Sequence, residues 1–160
     1  MEEPMQQSEG VSWGVAGHIG RITLSRPERA NSLTLAASRA LVRAIGEVLE
    51  SKPRVVLLAA QGRIFCAGGS IDEFVAAGTA LDTLVDDILT PLHPALYRLA
   101  TAPMPVVAAL SGPVAGAGIG CSAQHRQRCA PATPRSACRR MPVLRISWPG
   151  ASARYGRSSG

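Results

Sequence analysis

Two short apolar runs, each ending in a glycine-rich turn, constrain this chain more than any other feature of its sequence. RVVLLAA (54–60) lies between Pro53 and Gly62, and PVVAAL (105–110) leads into SGPVAGAGIG (111–120). Continuous apolar runs of this length are typical of strands that are covered on both faces. Since each glycine turn would follow the carboxyl end of a strand, the two turns are predicted to act as a pair.

The residues before the first run predict a strand and a helix. In 18–27, apolar Ile22 and Leu24 alternate with polar side chains, which is the pattern of a half-buried strand. Thr34 is a predicted N-cap for an amphipathic helix over 35–51, and Pro53 lies just past the end of that helix. The predicted buried face of this helix consists of Leu41, Ile45, Val48 and Leu49.

The residues between the two runs continue the alternation. QGRIFCAGGSIDEF (61–74) predicts a glycine turn that enters a short helix, and 81–100 predicts a longer helix with a bend at Pro91 or Pro94. The apolar positions of this longer helix are Leu84, Ile88, Leu92 and Leu96. The order of strand, helix, strand, turn, helix, strand and turn predicts the α/β class.

Charge divides the chain sharply at residue 120. Residues 1–120 carry nine basic and eleven acidic side chains, whereas 121–160 carry eight arginines and no acid. We therefore expect a polar lead over 1–10, a folded core over 11–120 and an irregular or disordered basic tail over 121–160. Only the tail carries the net positive charge that would attract nucleic acid, so a nucleic-acid partner is not expected for the core.

Several classes of protein are not predicted. The spacings of Cys121, Cys129 and Cys138 do not match paired zinc ligands, so no metal site is expected. The start MEEPMQQSEG lacks the apolar segment of a secretory signal, which favours a cytoplasmic location without disulfides. The uncharged stretch between Arg98 and Arg126 is interrupted by prolines and glycines, so a membrane span is not expected.

The glycine turns themselves have two interpretations. Each is either a tight connection between strand and helix, or a source of free backbone N–H groups, two of which would form an oxyanion hole around one carbonyl oxygen. A dinucleotide fingerprint is excluded because Gly116 and Gly118 would require Gly or Ala where Cys121 stands. A phosphate-binding P-loop is excluded because no Gly-Lys-Ser/Thr occurs.

Three segments resemble the crotonase superfamily, the enoyl-CoA hydratases and isomerases. They are ITLSRPERANSLT, GRIFCAGGSIDEF and PVVAALSGPVAGAGIG, and they occur in the order and spacing of that family over roughly 15–120. The resemblance implies a truncated ββα spiral fold that binds an acyl-CoA thioester as its substrate. It implies no separate cofactor, and it implies homotrimers or hexamers that assemble through regions this chain largely lacks.

The resemblance also assigns site residues. It implies that the backbone N–H groups of Gly69 and Ala117 polarise the thioester carbonyl as the two catalytic donors. Arg29 would pair with a phosphate of coenzyme A, or is simply solvated. Cys66, beside the first donor, is interpreted as a small buried thiol rather than a nucleophile. The remaining implied substrate contacts are Glu28, Ala30, Ala67, Ser70, Ile71 and Asp72.

The chain departs from the family pattern at the acid and base positions. Gly120 stands where family hydratases carry their first catalytic glutamate, and no Asp or Glu follows Asp87, so the second carboxylate is also lacking. Ser70 replaces the aspartate that is common after the first donor. Hydration needs acid and base groups within hydrogen-bond reach of the substrate, so impaired activity is predicted.

The abrupt change at Cys121 falls inside a predicted helix. One hypothesis is a shift of reading frame near codon 120, which translation of the coding DNA in the other two frames would test. Three functions stay open for the chain: an impaired fragment of an acyl-CoA enzyme, a non-enzymatic binder of acyl-CoA or nucleic acid, and a non-functional truncated product. Exposed apolar faces that a missing half would cover favour aggregation in the third case.

Overall fold

A five-stranded mixed sheet and three helices form the part of the chain that the computed structural model describes, residues 5–116 and 118. The sheet order follows the chain order. The strands are β1 (Gln6–Ser8), β2 (Val11–Ala16), β3 (Ile19–Leu24), β4 (Val55–Ala60) and β5 (Val106–Ala108), and the helices are α1 (Leu35–Glu50), α2 (Ile71–Ala77) and α3 (Leu81–Ala100). The α/β class predicted from the sequence is confirmed.

The sheet changes from antiparallel to parallel pairing at β3. Strands β1, β2 and β3 form an antiparallel meander, whereas β3, β4 and β5 are parallel, with Leu58 opposite Ile22 on one side and Ala108 on the other. Helix α1 connects β3 to β4, and helices α2 and α3 connect β4 to β5. The segments that follow the three parallel strands therefore emerge at the same edge of the sheet.

The predicted strand 54–60 is buried less evenly than expected. Val56 and Leu58 are buried, while Val55 and Leu57 on the opposite face are only half-buried. Both faces of this strand are covered, as predicted, but the face of Val55 and Leu57 only in part. Val107 of β5 is also exposed, on the last strand of the described sheet.

Strands β1 and β2 extend the sheet beyond the elements expected from the sequence. In β2, Val11 and Trp13 alternate with less buried residues, and the indole N–H of Trp13 donates to Oε2 of Glu47 on α1 (2.7 Å). The guanidinium of Arg43 lies 5.8 Å from the centre of the Trp13 ring and donates to Oε1 of Glu47 (2.7 Å). The two contacts of Trp13 fasten the meander to α1. The hydrogen bond from Arg43 contributes most to lowering the pKa of Glu47, and the bond from Trp13 adds to it.

The helices begin and end close to their predicted limits. Thr34 is the N-cap of α1, as predicted, and its Oγ1 accepts a hydrogen bond from the N–H of Ala37 (3.1 Å). The buried face of α1 packs against α3, where Ile88, Leu92 and Leu99 are buried. Helix α3 continues through Pro91 and Pro94. The outer predicted positions Leu49, Leu84 and Leu96 are only half-buried.

Two sets of predictions fall partly or wholly outside the described residues. The predictions for the tail 121–160, for its reading frame and for the boundary at 120 concern residues outside the described ranges, and so do those for Ala117 and Gly120.

Within 5–116, no helix has the length and apolar character that crossing a membrane requires.

Candidate active site

The turn after β3 is held in place by the buried side chain of Asn31. Its Oδ1 accepts from the backbone N–H of Arg26 (2.8 Å), and its Nδ2 donates to the carbonyl oxygens of Gln61 (2.9 Å) and Ile64 (2.8 Å). Asn31 is 2% exposed and has φ +51°, a conformation that asparagine tolerates better than most residues. Its side chain thus joins the turn after β3 to the turn after β4.

Sequence reasoning did not single out Asn31, although it lies within the family-like segment ERANSLT. The available signal is an Asn in a turn that begins with Pro27, because asparagine combines positive φ with side-chain hydrogen bonding to a backbone. Its partners, Gln61 and Ile64, lie thirty or more residues away along the chain. No local pattern identifies such partners.

Three backbone hydrogen bonds then align the turn after β3 with the turn after β4. The N–H of Ala67 donates to the oxygen of Ala30 (3.0 Å), that of Leu33 to Gly68 (2.7 Å), and that of Ser70 to Leu33 (3.1 Å). Leu33 and Gly69 thereby form an isolated parallel bridge. Since successive N–H groups of extended chain point to opposite sides, the N–H of Gly69 points away from Leu33.

The two glycine turns meet at Gly68 and Gly116. A Cβ on Gly68 would lie 3.2 Å from the oxygen of Ala115 and 3.3 Å from Cα of Gly116, and a Cβ on Gly116 would lie 4.0 Å from the nitrogen of Gly69. Both residues have positive φ, +93° and +53°, so a side chain at either position would be crowded and its backbone strained. The structure therefore brings the nitrogen of Gly69 next to the residue that precedes Ala117.

Cys66 is enclosed beneath this meeting point. It is 1% exposed, its carbonyl oxygen accepts from the N–H of Ala115 (2.9 Å), and a Cβ on Gly118 would lie 2.9 Å from its Sγ. Burial raises the pKa of its thiol above the ordinary value of 9.0, partly offset by a hydrogen bond from the backbone of Gly68. The prediction that Cys66 is a small buried thiol is confirmed, and a buried neutral thiol is a poor nucleophile.

We expect the contribution of Cys66 to stability to fall as pH rises. The unfolded chain ionises this thiol near pH 9 while the folded chain retains the proton, so unfolding is favoured progressively above that pH. Urea unfolding of the wild type and of Cys66→Ala at pH 8 and pH 10 measures this effect. The advantage of the wild type should shrink at pH 10; a difference that stays constant would contradict the expectation.

Ser70 is the N-cap of α2 and is itself buried. Its Oγ accepts from the N–H of Glu73 (3.5 Å), and Oε2 of Glu73 accepts from the N–H of Leu35 at the start of α1 (2.9 Å). Serine and aspartate are both good N-cap residues, so the replacement noted in the sequence preserves this local structure. The pair of contacts fixes α2, and the turn before it (61–70, the Gly69 turn), against α1.

The other predicted contact residues lie around this turn and differ in exposure. Arg29 and Asp72 form an ion pair of 3.1 Å between Nη1 and Oδ2. Ile71 is 74% exposed, beside Val75 at 76%, which gives α2 an apolar outer face. Glu28 and Ala67 are exposed, and Ala30 and Gly69 are half-buried.

An open groove of about 410 Å³ lies along α2 and α3. Its lining is mostly small and apolar, with Glu73 and Asp87 among the polar residues. Within the described ranges, no cluster of three or more His, Cys, Asp or Glu side chains could hold a metal ion. The other lining residues are Ala76, Ala77, Ala80, Thr83 and Leu84.

Comparison with known proteins identifies the class. The family model described as enoyl-CoA hydratase/isomerase matches residues 19–147. The chain belongs to the enoyl-CoA hydratase/isomerase family. The match passes Gly120, so it extends further than the three motifs alone indicate.

Particular relatives and structures agree with this class. A probable enoyl-CoA hydratase of Rhodobacter capsulatus is 33% identical over 108 residues, 68% of this chain and 40% of the relative. A mitochondrial 3-hydroxyisobutyryl-CoA hydrolase of Xenopus tropicalis is 34% identical over 118 residues, 72% of this chain and 30% of the relative. The crystal structure of an enoyl-CoA hydratase from Rhodobacter sphaeroides is 31% identical with a TM-score of 0.66, over 75% of this chain and 36% of that one.

The structural match confirms a crotonase-type fold for the described residues. The chain spans less than half the length of the relatives named above. The described part therefore corresponds to a portion of the fold that these longer proteins share.

Proposed function

We propose that this chain binds an acyl-CoA thioester and polarises its carbonyl oxygen between the N–H groups of Gly69 and Ala117. The observation that carries the proposal is the contact between Gly68 and Gly116, which brings the nitrogen of Gly69 close to the residue before Ala117. The N–H of Gly69 also points away from its neighbouring segment. Two such donors on one oxygen constitute an oxyanion hole.

The chemistry follows from where charge develops. Removing a proton from the carbon next to a thioester carbonyl places negative charge on the carbonyl oxygen, and fixed N–H groups stabilise that enolate without reorganising. Loss of one such donor typically lowers a rate by about 10²–10³. Coenzyme A enters as part of the substrate, so the proposal requires no separate cofactor. The relatives include a probable enoyl-CoA hydratase and a 3-hydroxyisobutyryl-CoA hydrolase, which favours this substrate class.

The remaining contacts are assigned by their positions around the Gly69 turn. The turn at Glu28, Arg29 and Ala30 would meet the nucleotide end of the substrate, with the exposed Arg29 on a phosphate. Ala67, Ser70 and Ile71 would meet the pantetheine part, while Asp72, which pairs with Arg29, would lie beside the nucleotide end. The apolar groove beside α2 suits an acyl chain.

We expect purified protein to show little or no enoyl-CoA hydration. Gly120 stands at the position of the first glutamate, and no Asp or Glu follows Asp87, so the acid and base that hydration needs are not supplied there. Loss of absorbance of crotonyl-CoA near the thioester band, followed with a full-length family hydratase as the positive reference, measures turnover. Robust turnover by this chain would contradict the expected impairment.

Carbonyl polarisation is tested by comparing two ligands that differ only at the carbonyl. Butyryl-CoA has the thioester oxygen, whereas S-butyl-CoA is a thioether that lacks it. We expect the protein to prefer the thioester, measured by isothermal titration calorimetry. Removing the N–H of residue 69 should reduce the preference about fivefold, the equivalent of about 1 kcal/mol for one hydrogen bond.

The N–H of residue 69 can be removed with a matched control. A Cβ at this position would overlap the ring of Phe74, so both variants are made in a Phe74→Ala background. In that background Gly69→Pro lacks the N–H, while Gly69→Ala retains it and adds a side chain of its own. Equal thioester preference in the two variants would refute the role of Gly69.

A further inference from the structure

The ion pair between Arg29 and Asp72 joins the two segments that the proposed function assigns to coenzyme A. Arg29 ends the 3-10 turn Pro27–Arg29 after β3, and Asp72 lies in the first turn of α2. The two residues are 43 positions apart in sequence, and their side chains are 59% and 84% exposed. The pair therefore bridges the outer surface of the Gly69 turn.

The backbones on both sides of this bridge are fixed independently of it. The oxygen of Ala30, next to Arg29, accepts from Ala67, and Asn31 is held by three hydrogen bonds. On the other side, the hydroxyl of Ser70 caps the helix that carries Asp72. Since neither backbone depends on the ion pair, the Arg29 side chain can change its partner while the turns stay in place.

The energetics favour an exchange of partner when a phosphate is present. An exposed ion pair contributes little to stability, because water screens it and both side chains lose freedom. A phosphate offers a guanidinium more charge and more acceptor oxygens than one carboxylate does, and it binds in a bidentate manner. The carboxylate of Asp72, however, occupies Arg29 beforehand and repels the approaching phosphate.

We propose that Asp72 is a specificity-determining residue that holds Arg29 in the free protein and competes with a phosphate of the ligand for it. The proposal rests on the proposed function, since it takes coenzyme A as the source of that phosphate. Asp72 lowers the affinity for ligands that carry the nucleotide portion of coenzyme A. A ligand that ends at pantetheine does not reach Arg29, so its affinity is independent of Asp72.

The test compares wild type and Asp72→Asn with butyryl-CoA and butyryl-pantetheine, by calorimetry at low salt. Asp72→Asn should bind butyryl-CoA about two- to tenfold more tightly, in the range expected for release of an exposed ion pair and its repulsion, while its affinity for butyryl-pantetheine stays unchanged. Higher salt should reduce the gain. Glu50→Gln, which removes the same charge from the exposed end of α1, is the matched control and should show no gain. The increase in affinity for butyryl-CoA caused by Asp72→Asn should also be smaller in an Arg29→Gln background.

The outcomes separate this inference from the proposed function. If the wild type binds both ligands and Asp72→Asn is no tighter for butyryl-CoA, the competition is overturned and the proposed function stands. An equal increase in affinity for both ligands, or an equal increase from Glu50→Gln, also overturns the inference. In either case the increase does not come from competition between Asp72 and a phosphate for Arg29. If the wild type binds neither ligand, the proposed function fails and this inference fails with it.

Discussion

Asn31→Asp is expected to lower the free energy of unfolding by about 3–5 kcal/mol at neutral pH, a large part of the stability of a small domain. The substitution keeps the acceptor for the N–H of Arg26 but replaces the two donors to Gln61 and Ile64. A buried carboxylate would then face two carbonyl oxygens, since the side-chain hydrogen bonds of Asn31 all go to backbone groups. Urea denaturation followed by circular dichroism measures the loss.

Two further variants separate the hydrogen bonds of Asn31 from its backbone conformation. Asn31→Gly removes all three bonds but accepts the positive φ, while Asn31→Ala removes the bonds and adds strain of about 1 kcal/mol. The expected order of stability is wild type, glycine, alanine and aspartate. Below about pH 4 the introduced carboxyl is protonated and can donate once, so the deficit of Asn31→Asp relative to wild type should shrink. A glycine variant as stable as the wild type would contradict the role assigned to these bonds.

The elements predicted well from the sequence are those whose signals are local. Thr34 precedes an apolar period of 3.6, and the helix it caps begins where that pattern begins. The runs at 54–60 and 105–110 are bounded by proline and glycine, and strands β4 and β5 lie within them. The glycine pairs signal tight turns for the same reason, since few other residues accept positive φ.

The features that were not predicted depend on partners distant in sequence. Strand β1 is polar and exposed, and it exists because Gln6 pairs with Trp13 across a hairpin. The half-buried faces of β4 depend on which helices cover the sheet, which no single strand encodes. The links from Asn31 to Gln61 and from Arg29 to Asp72 arise only when the parallel strands bring their turns to one edge. Topology, rather than local propensity, determines these contacts.

Gly112→Ala is expected to have the second large effect, a loss of about 3 kcal/mol or more in the free energy of unfolding. A Cβ on Gly112 would overlap the carbonyl oxygen of Arg63 and lie 2.9 Å from its carbonyl carbon. These are backbone atoms, held nearby by the hydrogen bond from Phe65 to Pro113 (3.0 Å), so they cannot rotate away as a side chain would. The segment after β5 would have to move outward from the segment after β4.

That movement links stability to the site, because Gly112 lies four residues before Gly116. If the two turns separate, the contact of Gly116 with Gly68 is lost, and the preference for butyryl-CoA over S-butyl-CoA should fall together with stability. Gly46→Ala is the matched control: a Cβ there meets nothing within 4 Å, and alanine in a helix interior should stabilise α1 by about 0.5–1 kcal/mol. If Gly112→Ala lowers the free energy of unfolding while Gly46→Ala raises it, the loss at Gly112 comes from the lack of room for a Cβ and not from the loss of a glycine as such. A Gly112→Ala protein as stable as wild type would mean that the two segments do not meet in this way.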